Sequence, residues 1–135
     1  MGLHWSHLAP DILDVLFEGT VIPAHPLALD ASRNFDLRHQ RALSRYYLDA
    51  GAGGLAVGVH ATQFAIRETG LYTPVLECAV QTVDDWAARP VAMVGGLNGK
   101  TNQAVIEAET AVAIGYHAGL LSLAAMKGAG EDELI

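Results

Sequence analysis

Four short apolar runs divide this chain at regular intervals, and each run leads into a loop that contains glycine or proline. The runs occupy residues 20–23, 54–58, 90–94 and 119–123. Helical patterns fill the intervals between them. An alternation of strand and helix is typical of a parallel sheet with helices packed outside it. In such sheets ligands bind beyond the carboxyl ends of the strands, so the segments after the runs are the first places to look for function.

The composition fits one α/β domain whose strands are covered. Hydrophobic residues make up 51% of the 135 residues, and the mean hydropathy is +0.25. Strands that are buried on both faces need such an apolar sequence. The net charge is −7 with only 8 lysine and arginine residues. This balance argues against nucleic acid as a partner, because phosphate binding requires a basic surface.

The same sequence points to a cytoplasmic location. No apolar stretch reaches the ~18 residues that a membrane span requires, and the first residues do not resemble a secretion signal. Cys78 is the single cysteine, which excludes an internal disulfide and suits a reducing compartment. We therefore expect no membrane partner. Histidine and carboxylate residues do not show the spacing of a metal site, so neither a metal nor an organic cofactor is expected.

Apolar residues at helical spacing predict helices over residues 10–18, 36–50, 67–86 and 101–115. Asp36 and Thr101 suit helix N-caps, and Pro74 is expected in the first turns of the third helix. The inner face of the second helix is predicted to hold Leu37, Leu43, Tyr46, Tyr47 and Ala50. The buried stripe of the fourth helix is predicted to hold Val105, Ala108, Val112 and Ala113.

The number of strand–helix units indicates part of a larger barrel. Units of about 30 residues, repeated eight times, form a TIM barrel of about 250 residues. This chain holds about three and a half such units. A small open doubly wound sheet is the alternative. We favour an N-terminal (β/α)3–4 portion of a TIM (β/α)8 barrel, with parallel strands and a short leading helix, as a single unit over residues 1–135. Its open apolar face and strand edges predict self-association or poor solubility.

Residues 19–27, 51–58, 95–104 and 115–121, in this order, resemble the dihydrodipicolinate synthase / N-acetylneuraminate lyase family. The first segment resembles the family's opening strand, which usually ends Ala-x-Thr-Pro. The second resembles its run into Gly-Thr-Thr-Gly-Glu. The third and fourth resemble its Gly-x-x-x-Asn-Thr-x-x-Ala helix start and its Gly-Ala-Asp-(Gly/Ala) strand. The resemblance implies the N-terminal half of a TIM-barrel class I aldolase or lyase, often a homo-oligomer, that acts on pyruvate or another 2-oxo acid.

Departures from the family pattern fall on the residues that carry its chemistry. The resemblance implies a Thr-Thr pair that binds the substrate carboxylate after the second strand, where this chain has Val59 and His60. It also implies a proton-shuttling tyrosine after the fourth strand, where this chain has Met126. Gly58 matches the motif. The Schiff-base lysine of the family belongs to the sixth strand, which places it outside this chain.

The chemistry of a class I aldolase shows what these positions would have to do. A lysine forms an imine with the ketone, and the substrate carboxylate must be held while the imine accepts electrons. Backbone N–H groups at a strand-to-helix turn hold a carboxylate without help from side chains. Gly58, Val59 and His60 are therefore predicted to bind the substrate, with His60 also the candidate catalytic proton carrier. His25 is the second candidate for both substrate binding and proton transfer. The alternatives are a plain loop role for His60 and a packing role for His25.

Other residues and functions stay open at this point. Lys127 is a weaker candidate nucleophile, and Lys100 lies in an incomplete phosphate-loop pattern. Gly95 and Gly96 are expected to form a tight turn. Besides the lyase, two functions fit the sequence. One is a non-catalytic or divergent barrel that binds a small carboxylate, and the other is a different, phosphate-binding TIM-barrel enzyme.

Overall fold

The computed structural model describes residues 4–134, in which helices and strands alternate. In chain order the elements are a 3-10 turn (Trp5–His7), α1 (Pro10–Glu18), α2 (Leu37–Asp49), β1 (Gly54–Val57), 3-10 turns at His60–Thr62 and Phe64–Arg67, α3 (Tyr72–Trp86), β2 (Ala92–Leu97), α4 (Thr101–Ile114), β3 (Ala118–Leu121), a 3-10 turn (Ala124–Met126) and α5 (Glu131–Leu134). The strands form a parallel sheet in the order β1-β2-β3. Ala56 lies beside Val94, which in turn lies beside Ala118.

The first predicted strand, residues 20–23, is an extended segment rather than a regular strand. The Ala56 N–H of β1 donates to the Pro23 carbonyl at 3.0 Å, and the His25 N–H donates to the Ala56 carbonyl at 2.8 Å. The Gly53 N–H also donates to the Val21 carbonyl at 3.1 Å, but Pro23 has no N–H to contribute, so the pairing with β1 is irregular. The segment nevertheless runs parallel to β1 at the edge of the sheet, in the predicted order.

Helices α2, α3 and α4 pack against one face of the sheet and enclose the core. Leu55 and Val57 of β1 and Met93 of β2 meet Val75 and Leu76 of α3, and each of the five is at most 2% exposed. Successive residues of a strand point to opposite faces of the sheet. The alternate residues of β1 and β2 therefore lie on the face that these helices do not cover.

The uncovered face of the sheet is concave. Ile22 and Ala24 of the edge segment line the same cavity as Leu120 and Ser122, which lie at the opposite edge of the sheet. The sheet therefore curls until its two edges border one space. A doubly wound sheet would instead carry helices on both faces. The fold is an open part of a TIM barrel, as the sequence predicted.

Helix α2 buries a different face from the one predicted. Its buried residues are Gln40, Ser44 and Leu48, whereas Tyr46 is 69% exposed. Gln40 and Ser44 are buried because they hydrogen-bond the segment that enters from the sheet edge, and apolar side chains offer no such partners. The predicted cap is confirmed, since the Asp36 carboxylate accepts the His39 N–H at 3.0 Å.

Helix α4 departs from its predicted stripe for a similar reason. It buries Glu107 and Ala111, while Val105 and Val112 are about half exposed. Glu107 is buried because it forms an ion pair with Arg67, which lies ahead of α3. The buried face of α4 therefore contains the paired charge of Glu107 instead of the valines that the periodicity predicted.

Helix α3 and strand β2 begin later in the chain than predicted. Residues 64–67 form a 3-10 turn, so α3 begins at Tyr72 and Pro74 lies in its first turn, as expected. Strand β2 ends at Leu97. Among residues 4–134, no helix is long and apolar enough to cross a membrane.

The open edge beside β3 is apolar, and we expect it to drive self-association. Leu120, Leu121 and Leu123 are 52–60% exposed there, and among the described residues β3 pairs with a strand on one side only. Light scattering across a concentration series should show an apparent mass above 14.3 kDa that rises with concentration. Leu120→Lys should shift the mass toward the monomer. Phe17→Lys, which changes an exposed residue of α1, is the control, and a monomeric wild type would contradict the expectation.

Candidate active site

A cavity of about 570 Å³ opens on the concave face at the carboxyl ends of the strands. Its walls come from the edge segment, β1 and the loop after it, and the end of β3. The lining residues are Ile22, Ala24, Ala56, Val59, His60, Ala61, Phe64, Leu120, Leu121 and Ser122. The walls are mostly apolar, and His60 is the histidine among the lining residues. This is the place where parallel α/β folds bind their ligands.

The loop after β1, residues 58–62, contributes Val59, His60 and Ala61 to the lining of this cavity. Gly58 has φ = 77°, a left-handed conformation that glycine adopts without strain. Its N–H donates to Thr62 Oγ1 at 3.0 Å, and that hydroxyl donates to the His25 carbonyl at 2.6 Å. Within residues 4–134, the next backbone N–H groups, those of Val59 and His60, donate to no protein acceptor. The loop is thus anchored at its two ends and leaves two donors open between them.

His60 lies at the mouth of the cavity and is exposed. Its ring meets the Phe64 ring edge-on, with 5.7 Å between the centroids. In the part of the chain that the structure describes, no hydrogen bond holds the imidazole. The ring is therefore positioned by packing alone, and both of its nitrogens remain available to a ligand or to water.

His25 lies elsewhere, in a buried polar cluster between the edge segment and α2. It is 0% exposed, and its Nε2 lies 2.8 Å from Ser44 Oγ. Its Nδ1 lies 2.9 Å from both the Pro26 carbonyl and Gln40 Nε2. The Gln40 side chain also accepts the Ala28 N–H at 2.7 Å. The structure does not bring the His25 ring together with His60, and substrate binding by His25 stays a prediction without a contact to carry it.

Burial sets the protonation of two histidines. Desolvation lowers the pKa of His25 below its usual value of 6.5, and the Pro26 carbonyl opposes this only in part. Desolvation likewise lowers the pKa of His117, whose Nδ1 accepts the Met93 N–H at 2.9 Å. Both rings are therefore held neutral in the folded protein over a wider pH range than in the unfolded chain.

We expect the free energy of unfolding to fall as the pH drops below about 6.5. The unfolded chain takes up these protons near the usual pKa, whereas the folded protein resists them, so acid favours unfolding. The contribution is complete above the unfolded pKa and is lost as the pH falls toward the folded one. Urea unfolding at about pH 7.5 and about pH 5.5 measures the difference. His25→Gln should reduce it and the exposed His7→Gln should not. An unchanged pH dependence in His25→Gln would contradict the assignment.

A buried ion pair that sequence reasoning missed lies behind the cavity. Arg67 Nε donates to Glu107 Oε1 at 2.8 Å and Arg67 Nη2 to Oε2 at 2.9 Å, with both side chains less than 10% exposed. Nη1 of the same guanidinium donates to the Gly58 carbonyl and Nη2 to the Gly96 carbonyl. One signal was present in the sequence. Glu107 is a charge in the run Ala104, Glu107, Ala111, whose spacing is that of a buried helix face.

Tyr72 completes this cluster from α3. Its hydroxyl donates to the Gly96 carbonyl at 2.9 Å, and the Arg67 guanidinium lies 4.6 Å from the centre of its ring. Desolvation, assisted by the nearby Glu107 carboxylate, raises the pKa of Tyr72 to about 12. Tyr72 is therefore a fixed hydrogen-bond donor at neutral pH rather than a proton carrier.

The tight turn expected at Gly95 and Gly96 is wrong, because both glycines belong to β2. A Cβ on Gly96 would lie 2.3 Å from the Gly58 carbonyl oxygen and 2.6 Å from the Val59 nitrogen. The peptide between Gly58 and Val59 therefore packs directly on the Gly96 backbone. Glycine is required here by the close approach of two main chains rather than by its own dihedral angles.

Gly96→Ala should destabilise the protein by about 2 kcal/mol or more, because its methyl group collides with backbone that cannot rotate away. Chemical denaturation of the two proteins measures the loss. Gly130→Ala is the matched control, since its added Cβ meets nothing within 4 Å. Equal stabilities for Gly96→Ala and the wild type would mean that the 58–59 peptide does not pack on β2.

The two candidate lysines are near each other and away from His60. Lys100 and Lys127 line a separate cavity of about 540 Å³, together with Thr101, Met126 and the loop after β3. Both lysines are exposed. Met126, which the sequence resemblance places at the family's tyrosine position, also lines the apolar groove between β3 and α4.

Comparison with known proteins identifies solved structures that share this fold. No protein-family model and no curated protein matches this sequence. Among solved structures, dihydrodipicolinate synthase from Aquifex aeolicus is 20% identical, with a TM-score of 0.66 over 76% of this chain and 33% of that one. A putative dihydrodipicolinate synthetase from Pseudomonas aeruginosa is 22% identical, with a TM-score of 0.64 over 74% and 33%.

A third match is a prophage protein of the dihydrodipicolinic acid synthase family from E. coli K12, solved in complex with pyruvate. It is 20% identical, with a TM-score of 0.65 over 74% of this chain and 33% of that one. This chain has the fold of part of a dihydrodipicolinate synthase. It spans about a third of the length of these proteins. The resemblance to the dihydrodipicolinate synthase family that the sequence suggested is therefore confirmed as a likeness of fold.

Proposed function

We propose that this chain supplies the N-terminal half of a dihydrodipicolinate synthase-like lyase or aldolase. The enzyme would act on pyruvate or another 2-oxo acid through a Schiff-base lysine that lies outside residues 1–135. The fold shared with dihydrodipicolinate synthases supports the proposal, and so does the pyruvate complex of the E. coli K12 relative. The altered loop after β1 points to a site that differs in detail from theirs.

The observation that carries the proposal is the pair of open N–H donors in the 58–62 loop. A 2-oxo acid offers a carboxylate whose oxygens accept hydrogen bonds. Val59 and His60 line the cavity, and their N–H groups have no acceptor in the described chain. Backbone donors of this kind hold an anion even where no cationic side chain is present. The loss of the family's threonine hydroxyls therefore leaves the carboxylate anchor in place.

His60 supplies the proton chemistry in this proposal. Formation and breakdown of the imine require a group that gives and takes a proton near neutral pH, and histidine is suited to this. His60 lines the cavity next to Val59, and its ring has no competing hydrogen-bond partner among the described residues. The family's tyrosine position holds Met126, which cannot carry a proton, so His60 is the residue we assign.

We further propose a cytoplasmic homo-oligomer without a metal or organic cofactor. The single cysteine, Cys78, is a buried thiol, and burial raises its pKa. A neutral, covered thiol suits a reducing compartment. The exposed leucines beside β3 give subunits an apolar surface through which to associate.

Pyruvate titrated into the ¹⁵N-labelled chain tests the carboxylate anchor. We expect the amide signals of Val59 and His60 to shift with saturation in the millimolar range, as for a small anion on a few hydrogen bonds. Pyruvamide, which has the ketone but no carboxylate, is the matched ligand control and should shift neither signal. A titration in which neither amide responds to pyruvate would overturn the anchor.

Borohydride reduction in the presence of pyruvate tests the lysine assignment in the same proposal. Intact mass should show no adduct on this chain and one adduct on a protein that also carries the sixth strand. In that longer protein His60→Ala should lower kcat by ~10²-fold or more, whereas His7→Ala should not. An adduct on Lys100 or Lys127 would place the Schiff base within this chain. Binding without any adduct on the longer protein would favour a non-catalytic carboxylate-binding barrel.

A further inference from the structure

Arg67 reaches the candidate site through a backbone carbonyl. Its Nη1 donates to the Gly58 carbonyl at 3.1 Å and its Nη2 to the Gly96 carbonyl at 2.9 Å. These carbonyls stand at the carboxyl ends of β1 and β2. One guanidinium thus joins the ends of β1 and β2, from the side that the helices cover, and the loop after β1 lines the cavity.

The Gly58 carbonyl and the Val59 N–H belong to one peptide group. A trans peptide is planar, and its C=O and N–H point in opposite directions; the described chain has no cis peptide. A carbonyl that is held toward Arg67 therefore turns the Val59 N–H away from Arg67. The left-handed Gly58 would otherwise let this peptide rotate, because glycine has access to many backbone conformations.

Glu107 fixes the orientation of Arg67. Besides two guanidinium N–H groups, its carboxylate accepts the Asn98 N–H at 2.9 Å and the Gln103 side-chain amide at 2.9 Å. Four donors satisfy both oxygens. The ring of Tyr72 covers one face of the guanidinium. These contacts fix the orientation of Arg67. Its Nη1 and Nη2 then hold the carbonyls at the two strand ends.

We propose that Arg67, oriented by Glu107, is a positioning residue for the 2-oxo-acid site. It fixes the 58–59 peptide so that the Val59 N–H is presented to the substrate carboxylate. The inference rests on the proposed function, because it assigns a purpose to the donors on which that function depends. Neither side chain touches the substrate, so neither is a catalytic residue.

A purely structural role makes a different prediction about the same pair. Replacing a buried ion pair with apolar side chains of similar volume is often neutral or stabilising, since the cost of desolvating two charges disappears. If Arg67 and Glu107 only fill space, a doubly apolar variant keeps both its fold and its loop. If they position the peptide, that variant keeps its fold but loses the order of the loop, because no donor remains for the Gly58 carbonyl.

The variant Arg67→Met/Glu107→Leu separates the two roles. Urea unfolding should give this variant an unfolding equilibrium constant within a few-fold of the wild-type value. Backbone ¹⁵N relaxation should show order parameters at Val59 and His60 that fall from about 0.85 toward about 0.6. The dissociation constant for pyruvate should rise about tenfold, as expected for one charge-assisted hydrogen bond lost from the support of a donor.

Arg89→Met is the matched control. Arg89 also donates to two backbone carbonyls, those of Leu48 and Ala52, but at the amino end of β1. This change should lower stability and leave the order parameters of Val59 and His60 unchanged. Glu107→Gln is a second test, because the amide nitrogen cannot accept a hydrogen bond. It should loosen the loop even if the double variant fails to fold.

The outcomes separate this inference from the function on which it rests. Order parameters that stay at wild-type values in both the double variant and Glu107→Gln overturn the positioning role. Loosened order in Arg89→Met to the same extent overturns it as well. The variants could loosen the loop as expected while the wild type does not bind pyruvate. In that case the positioning of the 58–59 peptide stands and the proposed substrate is wrong.

Discussion

The buried ion pair between Arg67 and Glu107 is the interaction on which the candidate site depends. It links a turn ahead of α3 to the middle of α4, and it donates hydrogen bonds to the ends of β1 and β2. Strand ends in a curled sheet have carbonyls that no neighbouring strand can pair. A guanidinium has enough donors in one plane to satisfy a carboxylate and two carbonyls at once. Burial of this pair is therefore compensated by a complete set of hydrogen bonds.

Close packing of main chains is the second constraint on the site. The 58–59 peptide lies on the Gly96 backbone, and a side chain at that position would displace it. The loop after β1 is consequently enclosed between a glycine on β2 and the guanidinium behind it. This packing fixes the backbone conformation of Gly58, although glycine is flexible in other contexts. In the proposed function, this backbone would bind the carboxylate that hydroxyl side chains bind in the family.

The two faces of the sheet differ in how far they are buried. The face toward α2, α3 and α4 is closed by buried, mostly aliphatic side chains, while the concave face and the edge of β3 stay open. The cavity has mostly apolar walls because it is the interior of a partial barrel. Catalysis by a barrel enzyme uses this division, since the core supports the loops that bear the chemistry.

Much of the fold was accessible from the sequence because it depends on local patterns. The β/α alternation, Asp36 as a helix cap, Pro74 in a first turn and the parallel order all follow from periodicity and from short-range chemistry. The placement of buried polar groups was not accessible in this way. Gln40, Ser44 and Glu107 are buried against partners 12 to 40 residues away, and their helices rotate to suit those partners.

The same distinction between local patterns and distant partners applies to the candidate site. The sequence by itself determined that the loop after β1 carries Gly58, Val59 and His60, because strand ends can be located from apolar runs. Only the tertiary structure decided that Arg67 stands behind this loop and that His25 faces α2 instead of the cavity. The physical reason is that hydrogen bonds and ion pairs between distant segments form where the chain brings them together, and their partners leave no periodic trace in the sequence.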